Sequence, residues 1–209
     1  MEDVLEVYHR PRDERRPLVC LDETTKQLIQ ETRTPLPLRK GQPQRFDCEY
    51  LRNGIGTLFL MVAPLEGWRQ VRVTRQKTRI DYAHCLKALS DEYYPQAKKI
   101  VLVQDNLNTH HPASLYQAFA PDEARRLLER FEVHYTPKHG SWLNMAETEL
   151  AVLQKQCLDR RIPDLETLRQ EVAAWNADRN ENATSIRWRF TTTDARIKLA
   201  KLYPSYDGK

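Results

Sequence analysis

Two short apolar runs constrain this chain most: Leu18-Val19-Cys20-Leu21 and Ile100-Val101-Leu102-Val103. Runs of this kind read as buried strands, and buried strands usually end in bland turn residues. Here the first stops at Asp22 and the second at Gln104-Asp105-Asn106, followed by Asn108, Thr109 and two adjacent histidines. An acid at the end of a stiff apolar strand is either a turn former or a carboxylate held in place for chemistry.

The rest of the chain supplies a frame for these two strands. Pro17 to Asp22 forms the first, ending at its acid, and a Pro-rich segment, residues 31–44, follows as an extended loop. Residues 45–64 and 67–75 alternate β-branched and polar residues, and the Asn53-Gly54 pair is a turn signal, so antiparallel strands are expected there. In Val71-Arg72-Val73-Thr74 the alternation puts the valines on one face and Arg72 and Thr74 on the other. Helical spacing covers Ile80 to Tyr94, Pro112 to Phe119 and Asp122 to Arg130, with Pro121 and Asp122 as start signals. Phe131 to Pro137 reads as a fifth strand, Trp142 to Leu158 as the strongest helix, and Thr167 to Ala177 as another. Strands followed by alternating strands and helices predict an α/β fold, a mixed five-stranded sheet flanked by helices, with its sites at strand ends.

If the two acid-tipped strands are neighbours, Asp22 and Asp105 project from the same end of the sheet. Two such acids raise each other's pKa unless a cation sits between them, and Mg²⁺ takes carboxylate oxygens while keeping waters for chemistry. A third acid is expected from the helix beginning near Trp142. Leu143, Ala146, Leu150, Leu153 and Cys157 form its apolar stripe. Glu147 borders that stripe, whereas Glu149 lies about 200° round from Glu147 at ~3.6 residues per turn and is expected to face solvent. Each acid also has a plain structural reading: Asp22 as a turn former, Asp105 as a helix cap, Glu147 as a favourable charge in a first helical turn.

The net charge of +4 is mild, but its distribution is uneven. Arg69, Arg72, Arg75, Lys77 and Arg79 fall close together with no acid among them, and Arg187, Arg189, Arg196, Lys198 and Lys201 are opposed only by Asp194. Such patches suit a polyanion, or else form solvated basic faces. Cys20, Cys48, Cys85 and Cys157 are far apart and form no CxxC pair, which speaks for reduced thiols and not for a disulfide framework or a zinc site. The adjacent His110 and His111 point in different directions on most backbones, and no third soft ligand lies at a suitable spacing. No apolar run approaches the ~20 residues needed to span a bilayer, so no membrane is expected. A soluble, cytoplasmic protein is the expectation.

Three blocks carry a family resemblance: "VCLDETTKQLI", "VLVQDNLNTH" and "HYTPKHGSWLNMAETELAVLQKQCL", with a supporting tail "WRFTTTDARIKLAKLYP". Together they resemble the transposases of bacterial insertion sequences in the mariner-like superfamily, whose DDE catalytic domain has a ribonuclease H-like fold. The resemblance runs from about Leu18 to Pro204. It implies an N-terminal extension at residues 1–16, a catalytic domain at 17–204 and a tail at 205–209. It also implies that Asp22, Asp105 and Glu147 are the catalytic, metal-binding acids of a two-metal DNA cleavage and strand-transfer site using two Mg²⁺ ions, with Mn²⁺ as substitute. Asn106, Asn108, His110, Lys138 and His139 belong to the same blocks and are expected near the metals or on DNA, with Arg72, Arg75 and Lys77 as further DNA contacts. The implied partners are double-stranded DNA, as transposon ends and target, and a second copy in a homodimer. The implied location is the bacterial cytoplasm, at the nucleoid when bound to DNA. Family members normally carry an N-terminal helix-turn-helix region, for which this chain has no room before its first strand. A non-catalytic DNA-binding or assembly module is therefore the alternative expectation.

Overall fold

The computed structural model describes residues 1–45 and 47–203; the expected tail at 205–209 lies outside the described residues. Its centre is a five-stranded sheet of β1 (Leu18–Glu31), β2 (Tyr50–Ala63), β3 (Trp68–Thr74), β4 (Ile100–Gln104) and β5 (Phe131–Tyr135), in the order β3-β2-β1-β4-β5. β1, β2 and β3 pair antiparallel, whereas β1 with β4 and β4 with β5 pair parallel. The expected mixed sheet flanked by helices is the architecture found.

Strand periodicity sorts the apolar side chains into two cores. Leu18, Cys20, Leu60, Val62, Val101 and Val103 face one layer, built from α1 (Glu2–Tyr8), α5 (Met145–Leu153), α6 (Leu165–Glu181) and α7 (Thr192–Lys198). Val19, Leu21, Phe59, Met61, Ile100 and Leu102 face the other, built from α2 (Arg79–Ala88), α3 (Ala113–Ala118) and α4 (Pro121–Glu129). A strand covered on both faces has no solvent side, which is why the two runs are apolar throughout instead of alternating. Near the N-terminus, α1 buries Val4, Leu5 and Val7, and the Tyr8 hydroxyl donates to the Leu143 carbonyl at 2.6 Å.

Helix limits follow from side-chain caps. Thr78 and Asp81 form a capping box at the start of α2, Thr191 and Asp194 another at α7, and Asp164 caps α6. Pro121 opens α4 at a position where its missing N–H costs nothing. The helix expected over Trp142 to Leu158 is divided: a 3₁₀ turn at Ser141–Leu143 precedes α5, and a π-type turn at Gln154–Leu158 follows it.

Two expectations are overturned. β1 does not stop at Asp22 but continues to Glu31, because β2 goes on pairing with it after β4 has ended; with one neighbouring strand instead of two, polar residues such as Thr25 are tolerated. Nor does Asn53-Gly54 make a hairpin turn. Pairing jumps from Gln27↔Ile55 to Ile29↔Arg52, so the dipeptide forms a bulge inside β2, with Gly54 at φ +93°. The β2–β3 turn closes instead at Gly67, whose φ is +68° and where an added Cβ would lie 2.3 Å from the Ala183 carbonyl oxygen.

Gly67→Ala therefore adds a backbone clash to the strain of a positive φ, whereas Gly54→Ala meets open space and carries the strain alone. Each strained conformation costs about 1–3 kcal/mol. Urea unfolding is expected to show Gly67→Ala as clearly the less stable variant; equal midpoints would contradict the close packing of the 183 loop on this turn.

Candidate active site

The parallel pairing of β1 with β4 aligns Cys20 with Val103, and the two acids stand two residues farther along each chain. Asp105 follows just past the end of β4, while a period of two keeps Asp22 on the face of Leu18, Cys20, Val101 and Val103. That is the face covered by α5. Asn144 caps α5 by accepting from the Ala146 N–H at 3.1 Å, and its amide donates to the Leu21 carbonyl at 2.9 Å. The helix start is thereby tied to the residue before Asp22, with Glu147 in its first turn. Burial pushes the Asp22 carboxyl up to about 7, and the charges of Glu23, Asp105 and Glu147 add to the shift, against a hydrogen bond of 2.8 Å from the Glu23 N–H. The three expected acids thus share one electrostatic neighbourhood.

A polar network backs this cluster from the opposite face. Glu23, the next residue in β1, faces the other way, with its side chain 2% exposed. His110 is fully enclosed between it and Asp105: Nδ1 lies 2.5 Å from Asp105 Oδ1, and Nε2 lies 2.9 Å from Glu23 Oε2, an ion-pair separation without hydrogen-bond alignment. Burial opposes charge on this imidazole, but the two carboxylates outweigh it and push its pKa up to about 9. Lys77 also pairs with Glu23. The His110 ring packs on Tyr82 at 4.7 Å between centroids, and its carbonyl accepts from Tyr135 at 3.0 Å and Gln104 at 3.2 Å. Tyr82 in turn donates to Gln104 at 2.8 Å.

Glu149 does not face solvent. It is 1% exposed and is gripped by two arginines: Arg179 donates to both carboxylate oxygens at 2.9–3.0 Å, and Arg69 Nε lies 2.9 Å from Oε1. The buried residues of α5 are Met145, Ala146, Glu149 and Leu153, so the helix is rotated from the stripe that includes Leu150, and Glu147 sits at its partly exposed edge. A stripe found from apolar residues alone cannot register an acid whose burial is compensated by cations distant in sequence. Arg69 accordingly leaves the basic patch: it is fully buried and also donates to the carbonyls of Gly67, Arg179 and Thr184 at 2.6–3.0 Å.

The remaining expected residues separate by location. Asn106, Lys138 and His139 line one cleft with Asp105 and Ser141, and His139 adopts φ +62°. Asn108 is exposed outside that lining. Arg72 lies apart, in a groove between β3 and α6, donating to the His84 carbonyl at 3.4 Å, as the alternation of β3 predicted for its outward face. Arg75 is exposed without a partner among the described residues. In the C-terminal basic region, Arg196 is paired with Glu2 at 2.7 Å and Lys198 with Asp194 at 3.6 Å, whereas Arg187 and Arg189 are exposed. Sequence reasoning missed Glu23, Tyr82, Gln104, Tyr135 and Asn144. Only Asn144 carried a local signal, the Asn-x-x-Glu spacing of a helix start.

Asp22, Asp105 and Glu147 offer only hard carboxylate oxygens, the donor chemistry of Mg²⁺ or Mn²⁺ and not of zinc. Burial chiefly raises the Asp22 pKa, and the repulsion from neighbouring acids that adds to it is what a divalent cation would relieve, so the residues fit such an ion. Among the described residues no three acidic, histidine or cysteine side chains are already gathered at ligating separations. Cys20, Cys85 and Cys157 are buried and all four thiols are free. No described helix is long and apolar enough to cross a membrane.

Removing Glu149 leaves Arg69 charged and uncompensated in the interior, a loss of about 3–5 kcal/mol. Glu149→Ala is expected to lower the unfolding free energy in urea by that amount, whereas Glu147→Gln, at a partly exposed position, should change stability by less than about 1 kcal/mol. The reverse ranking would contradict this rotation of α5.

Residues 17–169 match the DDE superfamily endonuclease family. No curated protein matches the sequence significantly. Among solved structures, a Mos1 mariner paired-end complex with Mn is similar at 17% identity and a TM-score of 0.57, covering 88% of this chain and 54% of that one. The Mos1 strand transfer complex is similar at 16% identity and a TM-score of 0.57, covering 84% and 51%. The chain therefore spans about half the length of these transposases. At such identities the likeness concerns the fold, which is ribonuclease H-like as the family resemblance implied. The family match and the shared architecture together establish that the chain belongs to the DDE superfamily endonucleases and has the fold of a mariner-like transposase catalytic domain.

Proposed function

We propose that this domain cleaves DNA phosphodiester bonds and transfers the resulting strands, with Asp22, Asp105 and Glu147 as its catalytic acids. The observation that supports this reading is that Asp105, just past the end of the strand paired parallel with β1, and Glu147, in the first turn of α5, both bring their charge to the Asp22 carboxyl. These acids would hold Mg²⁺ or Mn²⁺, two ions being expected. When bound, such ions stabilise charge on a scissile phosphate and lower the pKa of an attacking water or 3′-hydroxyl.

The chain's own groups have separate tasks. His110, fixed by Glu23, restrains the Asp105 carboxylate and acts as a positioning residue, as the outer partners of metal ligands commonly do. Lys138, His139 and Asn106 line the cleft beside Asp105, where cations and amides suit the phosphate backbone. Asn108, Arg72 and Arg75 serve as more distant DNA contacts, and Lys77 acts through Glu23. Support for double-stranded DNA as the substrate, and for the metals, comes from the Mos1 structures, which include a paired-end complex with the left transposon end and complexes with Mn and with Mg. A homodimer would bring two DNA ends together. The setting we propose is a bacterial insertion sequence, with the protein in the cytoplasm at the nucleoid.

Nicking of labelled duplex DNA with Mn²⁺ tests the reading. Outer partners of metal ligands typically contribute ~10–100-fold, so His110→Ala is expected to slow cleavage by about that much, and Asp22→Asn, Asp105→Asn and Glu147→Gln by more. Equal cleavage by wild type and Asp105→Asn would sink the assignment. Salt-sensitive DNA binding with no cleavage by the wild type would favour a binding or assembly module.

A further inference from the structure

One feature on the rim of the Asp105 cleft has no part in the proposed chemistry. Ser141 lines that cleft, and the next residue, Trp142, is 44% exposed. Trp142 is no loosely held surface ring. It stacks on Trp188 at 6.4 Å between centroids with an interplanar angle of 23°, and meets the edge of Phe190 at 5.9 Å. Trp188 is in turn backed by Tyr8 at 5.2 Å. An aromatic base therefore supports one side of the indole, while nearly half of the residue stays in water.

The segment carrying that base alternates. Ile186, Trp188 and Phe190 pack against the core, whereas Arg187 and Arg189 are exposed with no ion-pair or hydrogen-bond partner among the described residues. Lys138, exposed on the cleft, is equally unpaired. Exposed cations on the cleft rim and on the segment that carries the aromatic base, together with an anchored, half-exposed indole, suit a nucleic-acid strand: cations track its phosphates, and the ring accepts the flat face of a base. Unpaired cations around the ring favour a polyanion over a purely apolar partner. Inside a duplex both faces of a base are covered by its neighbours, so only a base at an end, a break or a flipped position can reach such a ring.

We infer that Trp142 is a stacking platform for an unpaired base of DNA at the cleft, with Arg187 and Arg189 binding the adjoining phosphates. The inference rests on the reading of this cleft as a DNA-cleaving site, and it adds how the strand next to the reacting phosphate is held. Trp142 is a binding and positioning residue in it and takes no part in bond breaking.

The test uses the full chain and two labelled duplexes of one sequence, one blunt and one with a short 3′ overhang carrying 2-aminopurine as its first unpaired base, with EDTA present. Wild type is expected to prefer the overhang and to quench the 2-aminopurine. Base–aromatic stacking corresponds to roughly 10-fold or more in affinity, which Trp142→Ala should lose and Trp142→Phe largely keep. Arg187→Ala and Arg189→Ala should weaken both duplexes alike and each lower the salt slope by about one. Absence of quenching by wild type would overturn the inference whatever the variants do, as would full quenching by Trp142→Ala. Metal-dependent cleavage is measured in parallel. Cleavage without quenching removes this inference alone, whereas quenching without cleavage removes the enzymatic reading and leaves the platform.

Discussion

The triad of the buried Arg69 and Glu149 with the partly exposed Arg179 is the constraint on which the placement of the site depends. Arg69 belongs to β3, Glu149 to α5 and Arg179 to α6, so one carboxylate joins an outer strand of the sheet to two helices of the covering layer. A buried ion pair contributes little net stability against apolar residues of the same volume, but any arrangement that separates its members leaves a naked charge inside. The triad therefore acts chiefly through the states it excludes. A rotation of α5 that exposed Glu149 would strand Arg69, and the observed rotation leaves Glu147 at the edge of the helix, within electrostatic reach of Asp22.

The opposite anchor of the site is the sheet. Parallel pairing of β1 with β4 sets a register that cannot slip by one residue without moving every apolar side chain to the wrong face. Because both strands are covered on both faces, that register is strongly specified, and it brings the ends of the two apolar runs, with Asp22 and Asp105 just beyond them, to the same edge of the sheet. Asn144 links the two anchors, capping α5 with one end of its amide and holding the Leu21 carbonyl with the other. Strand, cap and helix thus fix three carboxylates from three distant parts of the chain, although the acids repel one another.

What was legible in the sequence was whatever depends on local pattern. Continuous apolar runs marked β1 and β4, and helical spacing marked α2, α4 and α6. Patterns that serve two structures misled: Asn-Gly favours positive φ, which suits a bulge as well as a hairpin turn, and Gly54 uses it for the bulge. The ending of the β1 apolar run marked the end of burial on both sides, not the end of pairing. Glu149 and Arg69 were illegible because each looks like a surface charge until its partner, brought in by the fold, is known. Glu23 was hidden for a related reason: beside Asp22 it reads as one of a pair of acids, yet the pleat sends it to the other face, where it meets His110 and Lys77.

The same distinction governs the cations. Five of them crowd into the segment from Arg69 to Arg79, which looks like a binding stripe, but Arg69 is consumed by the interior and Lys77 by Glu23. Arg196 and Lys198 are likewise occupied, by Glu2 and Asp194. Exposed cations without such partners include Arg187, Arg189 and Lys138, whose sequence positions lie far apart but which stand on the aromatic strap and on the cleft rim. Since a phosphate gains little from a cation already neutralised, the field that a DNA strand meets is set by unpaired groups such as these and Arg75, and not by the densest basic run as a whole. With a net charge of only +4, the attraction is local to such groups. An acidic cluster would by itself repel a phosphate, so cations at its margin are a physical requirement for any strand that is to approach it.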